Sequence, residues 1–264
     1  MLIDQIKKQL LTIVLGIRRF QSGVLITTLL VVVGCSTSGA NSLSKVVRVI
    51  DGDTIVLLSG EKVRLLGVNA PELGYKGALN DAGALAAKKF LKTRVLNRFV
   101  VIEKDAEDKD HYGRTLAHVF LKSGEHINKD LLRNGKVFLN IHPPNLRYSS
   151  QLIDAQSTAE KAGTGVWSAK LYRLQLATQI PEERIKKWGR FSSTVKRVSV
   201  LEKGAKLWLS DEVYIWIAEK NRQYFPAVTY YRGKHIEIRG WPRKWGKFWS
   251  LNAIHPSQLL IKER

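Results

Sequence analysis

Short apolar runs and turn residues alternate along the chain from Val46 onward. Val46 to Ile50, Thr54 to Leu58 and Lys62 to Val68 are rich in β-branched residues and are separated by the turn sequences DGD and SGEK. That alternation predicts a three-stranded meander, which Pro71 ends. The period then changes: Leu79, Ala82, Leu85, Ala86, Phe90 and Leu91 recur at helical spacing, with Lys88, Lys89 and Lys92 on the opposite face. An amphipathic helix over Leu79 to Leu96 follows. Phe99 to Glu103 and Leu116 to Leu121 return to strand character, and INKDLLRNG reads as a short helix closed by Gly135. A last helix spans Ser149 to Ala162, with Leu152, Ala155, Ala159 and Ala162 on one face. Three strands, a helix, two strands and two helices predict a small closed barrel with helices packed on it.

After Trp167 the pattern breaks. Residues 169–188 are polar and carry no sustained apolar stripe, so they read as a connector. Five strand-like runs follow within 189–264, around Ser193 to Val198, Ala205 to Leu209, Val213 to Ala218, His235 to Gly240 and Phe248 to Ile254. That count suits a second, OB-like β domain, so the fold class is α+β with strands dominating. Aromatic residues crowd this segment and interleave with arginine and lysine, as in Trp241, Arg243, Lys244, Trp245, Lys247 and Phe248. They can stack bases and hold phosphates. The competing reading is core filling, and for any one ring, Tyr214 or Trp216 included, burial is favoured because large aromatics are mostly interior.

The first 34 residues have another character. Lys7, Lys8, Arg18 and Arg19 precede an apolar stretch, Val24 to Val33, which stops at Gly34-Cys35. This is the order of a signal peptide, and the run is shorter than the roughly 20 residues a bilayer span needs. VVGC, Val32 to Cys35, resembles the bacterial lipobox, which implies cleavage before Cys35, a lipid on its sulfur, and a polar tether to residue 43. The expected address is the cell envelope, with the outer membrane favoured by Ser36 where the source has two membranes. Cys35 is the single cysteine, so no internal disulfide and no thiolate metal site can form. A formal net charge of +20 favours a polyanionic partner, either nucleic acid or an anionic membrane surface. No protein partner is expected.

Candidate chemistry lies in three stretches of the first half: VIDGDTIVLL (49–58), VRLLGVNAPEL (63–73) and DKDHYGRTLAHVF (108–120). Alone, DGD between two apolar runs is a hairpin turn. The ordered set D-G-D-T, R-L-L-x-V-x-A-P-E and Y-G-R-x-L-A resembles the staphylococcal nuclease family over about Ser44 to Trp167. The resemblance implies an OB-fold-like nuclease barrel over 44–168 and a calcium-dependent phosphodiesterase acting on DNA or RNA. It implies that Asp53 is a metal ligand, that Asn69 stands where a second aspartate ligand is usual, and that Ala70 offers its backbone carbonyl. Glu72 then matches the group that positions or deprotonates the attacking water, and Arg64 and Arg114 match the two phosphate-holding arginines. Asp51 is expected as a turn residue near the metal.

Physical chemistry supports those roles independently. A phosphodiester under attack by water gathers negative charge on its nonbridging oxygens, which two planar guanidiniums can hydrogen-bond. Oxygen-only ligands suit a hard cation. Asn69 keeps the oxygen but loses a charge, so weaker calcium binding or another divalent ion is expected. FLNIHPPN, Phe138 to Asn145, lacks the paired tyrosines of the best-known family members. His142 could serve as a ring there, although a loop histidine is more often only solvated. Two classes stay open on sequence alone: a lipid-anchored nuclease, or a noncatalytic nucleic-acid-binding or envelope-binding lipoprotein that keeps the barrel as scaffold.

Overall fold

The computed structural model describes residues 42–74 and 77–262. The signal peptide, Cys35 and most of the tether expected before residue 43 lie outside the described residues. Five strands close a barrel in the order β1, β2, β3, β6, β5. They are β1 (Ser42–Val49), β2 (Thr54–Leu57), β3 (Lys62–Leu65), β5 (Phe99–Glu103) and β6 (Thr115–Leu121). All neighbours are antiparallel except β3 and β6, which run parallel and pair Arg64 with Leu116. The expected third strand is divided. Gly67, at φ +72°, breaks it, and a Cβ there would lie 2.3 Å from Leu152 Cδ1. The remainder, β4 (Gly67–Asn69), leaves the barrel and pairs with β7 (Phe138–Asn140).

Three helices pack on the barrel: α1 (Ala84–Val95), α2 (Ile127–Arg133) and α3 (Ser149–Lys161). The first begins five residues later than its periodicity predicted and turns a different face inward. Ala84, Ala87, Leu91 and Val95 are buried, while Leu79 and Leu85 are 94% and 62% exposed. Both stripes fit a helical period, and small alanines win because they let the helix approach the DGD turn. On α3, Leu152, Ala155 and Ala159 are buried as expected, with Gln156 in place of Ala162. The barrel core is aliphatic, with Val46, Ile55, Leu65, Leu91, Val119 and Leu131 among its fully enclosed residues. Burying side chains of this kind contributes roughly 1.5–3 kcal/mol each. Asn128, fully enclosed, ties two segments by donating to the Leu66 carbonyl at 2.8 Å and accepting from Val119 N–H at 3.0 Å.

In the second half four of the five expected strands form, but the run from Ser193 to Val198 is broken at Val195 and Lys196, and the strands make two sheets rather than a closed barrel. One sheet takes the order β10 (Arg197–Leu201), β11 (Gly204–Trp208), β12 (Val213–Ala218), β15 (Phe248–Asn252), β14 (Pro242–Trp245). The other takes the order β16 (Leu259–Ile261), β13 (His235–Gly240), β9 (Gly189–Thr194), β8 (Gln175–Leu176). A shared core of Phe191, Leu207, Ile215, Ile217, Ile236 and Ile238 lies between them. Aliphatic side chains fill most of it, with Phe191, Phe225 and Tyr231, and Tyr214 and Trp216 are not core residues: β12 alternates buried Val213, Ile215 and Ile217 with half-exposed Tyr214 and Trp216. Residues 169–188 are packed rather than free: Tyr172, Ala177, Ile180, Arg184 and Trp188 are buried. Trp188 stacks on Phe138 of β7 at 3.7 Å between ring centroids. Glu160 of α3 accepts from Arg190 and Arg239, on β9 and β13, at 2.7–2.8 Å. Rings and ion pairs therefore join the two halves.

Candidate active site

The DGD turn between β1 and β2 is built by its own side chains. Asp51 Oδ1 accepts from the Asp53 N–H at 3.0 Å, an Asx turn that fits its expected structural role. Gly52 is required by packing: a Cβ there would lie 2.6 Å from Ala87 Cβ and 2.7 Å from Ala70 Cβ. The turn is thus pressed between α1 and the APE segment, and Asp53 is carried inward to 5% exposure. Its Oδ1 accepts from the Thr54 hydroxyl at 3.0 Å and its Oδ2 from the Ala70 N–H at 2.6 Å.

Arg64 completes this cluster. Its Nη2 lies 3.0 Å from Asp53 Oδ2 and donates to Asn69 Oδ1 at 3.0 Å, while Nη1 donates to the carbonyls of Leu65 and Val68. Asn69 Nδ2 in turn donates to the Ala70 carbonyl at 3.1 Å. One guanidinium nitrogen is therefore shared by the two side-chain oxygens that the sequence set apart as ligands. Burial still holds the Asp53 carboxyl above the usual carboxylate range; Arg64 opposes this and Asp51 adds to it.

Glu72 follows Pro71 at the edge of the cluster. Its N–H donates to Asp81 Oδ2 at 3.2 Å, leaving the side chain open to solvent on one side. Desolvation on the other side raises its pKa above the ordinary value, Asp51 and Asp81 reinforce that, and Arg64 and Arg114 oppose it. Arg114 reaches the same place from the segment before β6. Its backbone N–H and its Nε donate to the two oxygens of Asp110, at 2.9 and 2.7 Å, and its guanidinium carbon stands 5.5 Å from the Tyr112 ring centroid. The parallel β3–β6 pairing makes Arg64 and Arg114 neighbours, and both line a cleft of about 500 Å³ together with Lys109, His111, Asn140 and His142. His142 is exposed, and its Nε2 is 3.1 Å from Asn140 Oδ1.

The structure thus gathers Asp53, Arg64, Asn69, Ala70, Glu72 and Arg114 at one barrel mouth. Residues 62–169 match the family model described as staphylococcal nuclease homologue. The thermonuclease of Staphylococcus hyicus is 36% identical over 135 residues, covering 50% of this chain and 79% of that protein. The thermonuclease of Staphylococcus intermedius is 39% identical over 123 residues, covering 46% and 73%. The chain belongs to the staphylococcal nuclease family. An endonuclease of Bacillus subtilis, YhcR, is also similar, at 35% identity over 135 residues and 11% of its own length. The family match contains Arg64, Asn69, Ala70, Glu72 and Arg114, and residues 170–264 lie beyond it.

That remainder nevertheless reaches the site. Arg184, Lys186, Lys187 and Trp241 line a narrow space with Asn69, Pro71, Glu72 and Asp81. Arg184 is buried; its Nη2 donates to the Trp188 carbonyl, and its Nε and Nη1 have no hydrogen-bond partner among the described residues. The basic run RIKKW was the sole signal of this in the sequence, and it reads equally as a solvated connector.

Proposed function

We propose that the chain is a nuclease that hydrolyses phosphodiester bonds of DNA or RNA with a divalent cation, calcium in the first place. The observation that carries this reading is that Arg64 and Arg114 line one cleft, that Glu72 stands near enough to feel both charges, and that Arg64 is paired with the buried Asp53. Arg64 and Arg114 present planar, permanently charged donors to a phosphate, where charge grows during attack. Glu72 is open to water on one side, and partial burial raises its pKa, which strengthens it as a proton acceptor. Lys109 adds a third cation to the lining of that cleft, where Asp110 is already engaged by Arg114.

The donor set fits a hard cation. Asp53 Oδ2 and Asn69 Oδ1 converge on a single positively charged nitrogen, and the Ala70 carbonyl adjoins Asn69. All three donors are oxygens, and the Asp53 carboxylate is buried with less positive charge than it needs. When bound, the cation supplies Lewis acidity toward a phosphate oxygen and the acidification of a water. Asp53, Asn69 and Ala70 would hold it.

The decisive experiment is digestion of DNA and RNA by the full chain against the concentration of calcium, magnesium or manganese, alongside Glu72→Gln. Turnover should fall by about 100-fold or more in the variant with folding retained, the scale of a positioned base. Unchanged turnover removes Glu72 from the mechanism, and no digestion with any ion favours the noncatalytic lipoprotein. In the same proposal Cys35 carries the membrane anchor at the cell envelope. Cells expressing the chain should incorporate labelled fatty acid into it, and Cys35→Ala should abolish the label.

A further inference from the structure

The five-stranded sheet of the second half turns aromatic rings and cations toward solvent. Strand alternation decides which residues these are. Ala205 and Leu207 of β11 and Val213, Ile215 and Ile217 of β12 point into the core, so Lys206, Trp208, Tyr214 and Trp216 point out. Cross-strand register then sets them in two rows. Arg197, Trp208, Tyr214, Ser250 and Arg243 form one, and Ser199, Lys206, Trp216 and Asn252 form the next.

The rings and cations of these rows touch. Trp208 and Tyr214 have centroids 5.1 Å apart. Arg197 stands 4.6 Å from the Trp208 ring, and Lys206 stands 4.6 Å from Tyr214 and 5.3 Å from Trp208. Trp245, 66% exposed, extends the face at its edge. Beside the rows is a shallow depression of about 290 Å³, lined by Lys206, Arg243, Tyr214, Trp216 and Trp245 among others, and no carboxylate of the described residues lines it. An exposed sheet face without a partner normally carries polar side chains, because large exposed apolar surface mediates association.

We propose that this face is a second nucleic-acid site, binding single strands separately from the cleft and holding the polymer while the cleft cuts it; the proposal rests on the nuclease reading above. The rings offer flat surfaces to unstacked bases, and the cations among them match a phosphate backbone. A duplex hides its base faces, so single strands are the preferred form. An anionic lipid surface would satisfy the cations too, but paired rings ranked beside cations along two strand rows match the spacing of a base-and-phosphate polymer more closely, and vesicle binding separates the two.

The experiment measures binding of labelled oligo(dT), about 16 nucleotides long, to the full chain carrying Glu72→Gln with divalent ions chelated, so that cutting is suppressed. Adding Trp216→Ala with Trp245→Ala should weaken affinity at least about tenfold, since one stacked base is worth ~1–3 kcal/mol. Adding Lys206→Gln with Arg243→Gln instead should weaken it and reduce the slope of log affinity against log salt by about 1.4, or ~0.7 per phosphate contact. Thermal melting accompanies both, and the charge pair carries the test if the tryptophan pair melts early. With Glu72 intact, the same substitutions should leave cleavage of a dinucleotide unchanged. A chain that binds through this face but cuts nothing keeps the platform and loses the nuclease reading. Unchanged affinity in both variants overturns the proposal. Loss of binding to phosphatidylglycerol vesicles with oligonucleotide binding intact overturns it too and makes the face a membrane surface.

Discussion

Asp53 at the barrel mouth and Glu237 on β13 are both buried carboxylates, 5% and 0% exposed, yet their acidities move in opposite directions. Burial raises both. Around Glu237, Arg190 and Arg239 donate at 2.7 and 2.6 Å and Lys262 lies at 3.0 Å, which outweighs burial and holds the carboxyl down at about 2. Around Asp53, Arg64 is the one cation that opposes burial, helped by the Ala70 N–H, while Asp51 aggravates it, and the carboxyl stays high. The difference separates a finished structural charge cluster from a site with room for more positive charge.

The largest effect should come from removing the finished charge. Glu237→Gln leaves Arg190, Arg239 and Lys262 with too little negative charge, and stability should fall by about 3–5 kcal/mol, as when one partner of a buried ion pair is removed. Chemical denaturation measures it, and turnover per folded molecule should be unchanged. Asp53→Asn should do the reverse. Stability should hold or rise, because an undercompensated buried carboxylate is gone, while turnover should fall by more than about 100-fold, beyond the loss usual for a group outside the immediate metal shell. A variant that loses stability as Glu237→Gln does would erase the distinction between the two sites.

Acid should separate the halves by pH window. In the barrel, His118 Nδ1 and His126 Nε2 are 3.2 Å apart in the core, and burial holds their rings neutral, down to about 4 and about 3. The unfolded chain binds protons there that the folded one refuses. The pair's contribution is therefore complete above the ordinary value of 6.5 and is lost as pH falls toward those lower values. Glu237 contributes fully above its ordinary 4.5 and loses its share as pH falls through about 2. Denaturation midpoints measured against pH should decline in both windows. His126→Phe should flatten the upper decline and Glu237→Gln the lower; one undivided decline in all three proteins would reject the assignment.

The smallest effect sharpens the reading of Asp53. Asn69→Asp adds a second carboxylate to the undercompensated site, so the calcium concentration for half-maximal digestion should fall, by up to about tenfold. An unchanged value in two folded proteins would mean that Asn69 holds no cation.

Much of the barrel and of its site could be read along the chain. The DGD turn is local chemistry: Asp51 caps its own turn, and Gly52 makes the close approach possible. Arg64, Asn69, Ala70 and Glu72 lie within one short segment, so their proximity needed little long-range information. The face of α1 was not legible, because two stripes satisfy its period and only the neighbouring turn chooses between them. Nor was the reach of Arg184 and Lys186 toward Glu72, which depends on Trp188 stacking on Phe138 across the boundary between the halves.

What the sequence determined by itself was the main strands and helices of the barrel, the turn chemistry and the residue types at the barrel mouth, since each depends on neighbours a few positions away. Tertiary structure alone decided three things. The parallel pairing of β3 with β6 brought Arg114 to Arg64. Two sheets closed over a shared apolar core instead of forming a second barrel. Tyr214 and Trp216 were turned outward rather than in. A strand's side chains alternate between two faces, and which face is interior is fixed by what packs against it, information that no single strand contains.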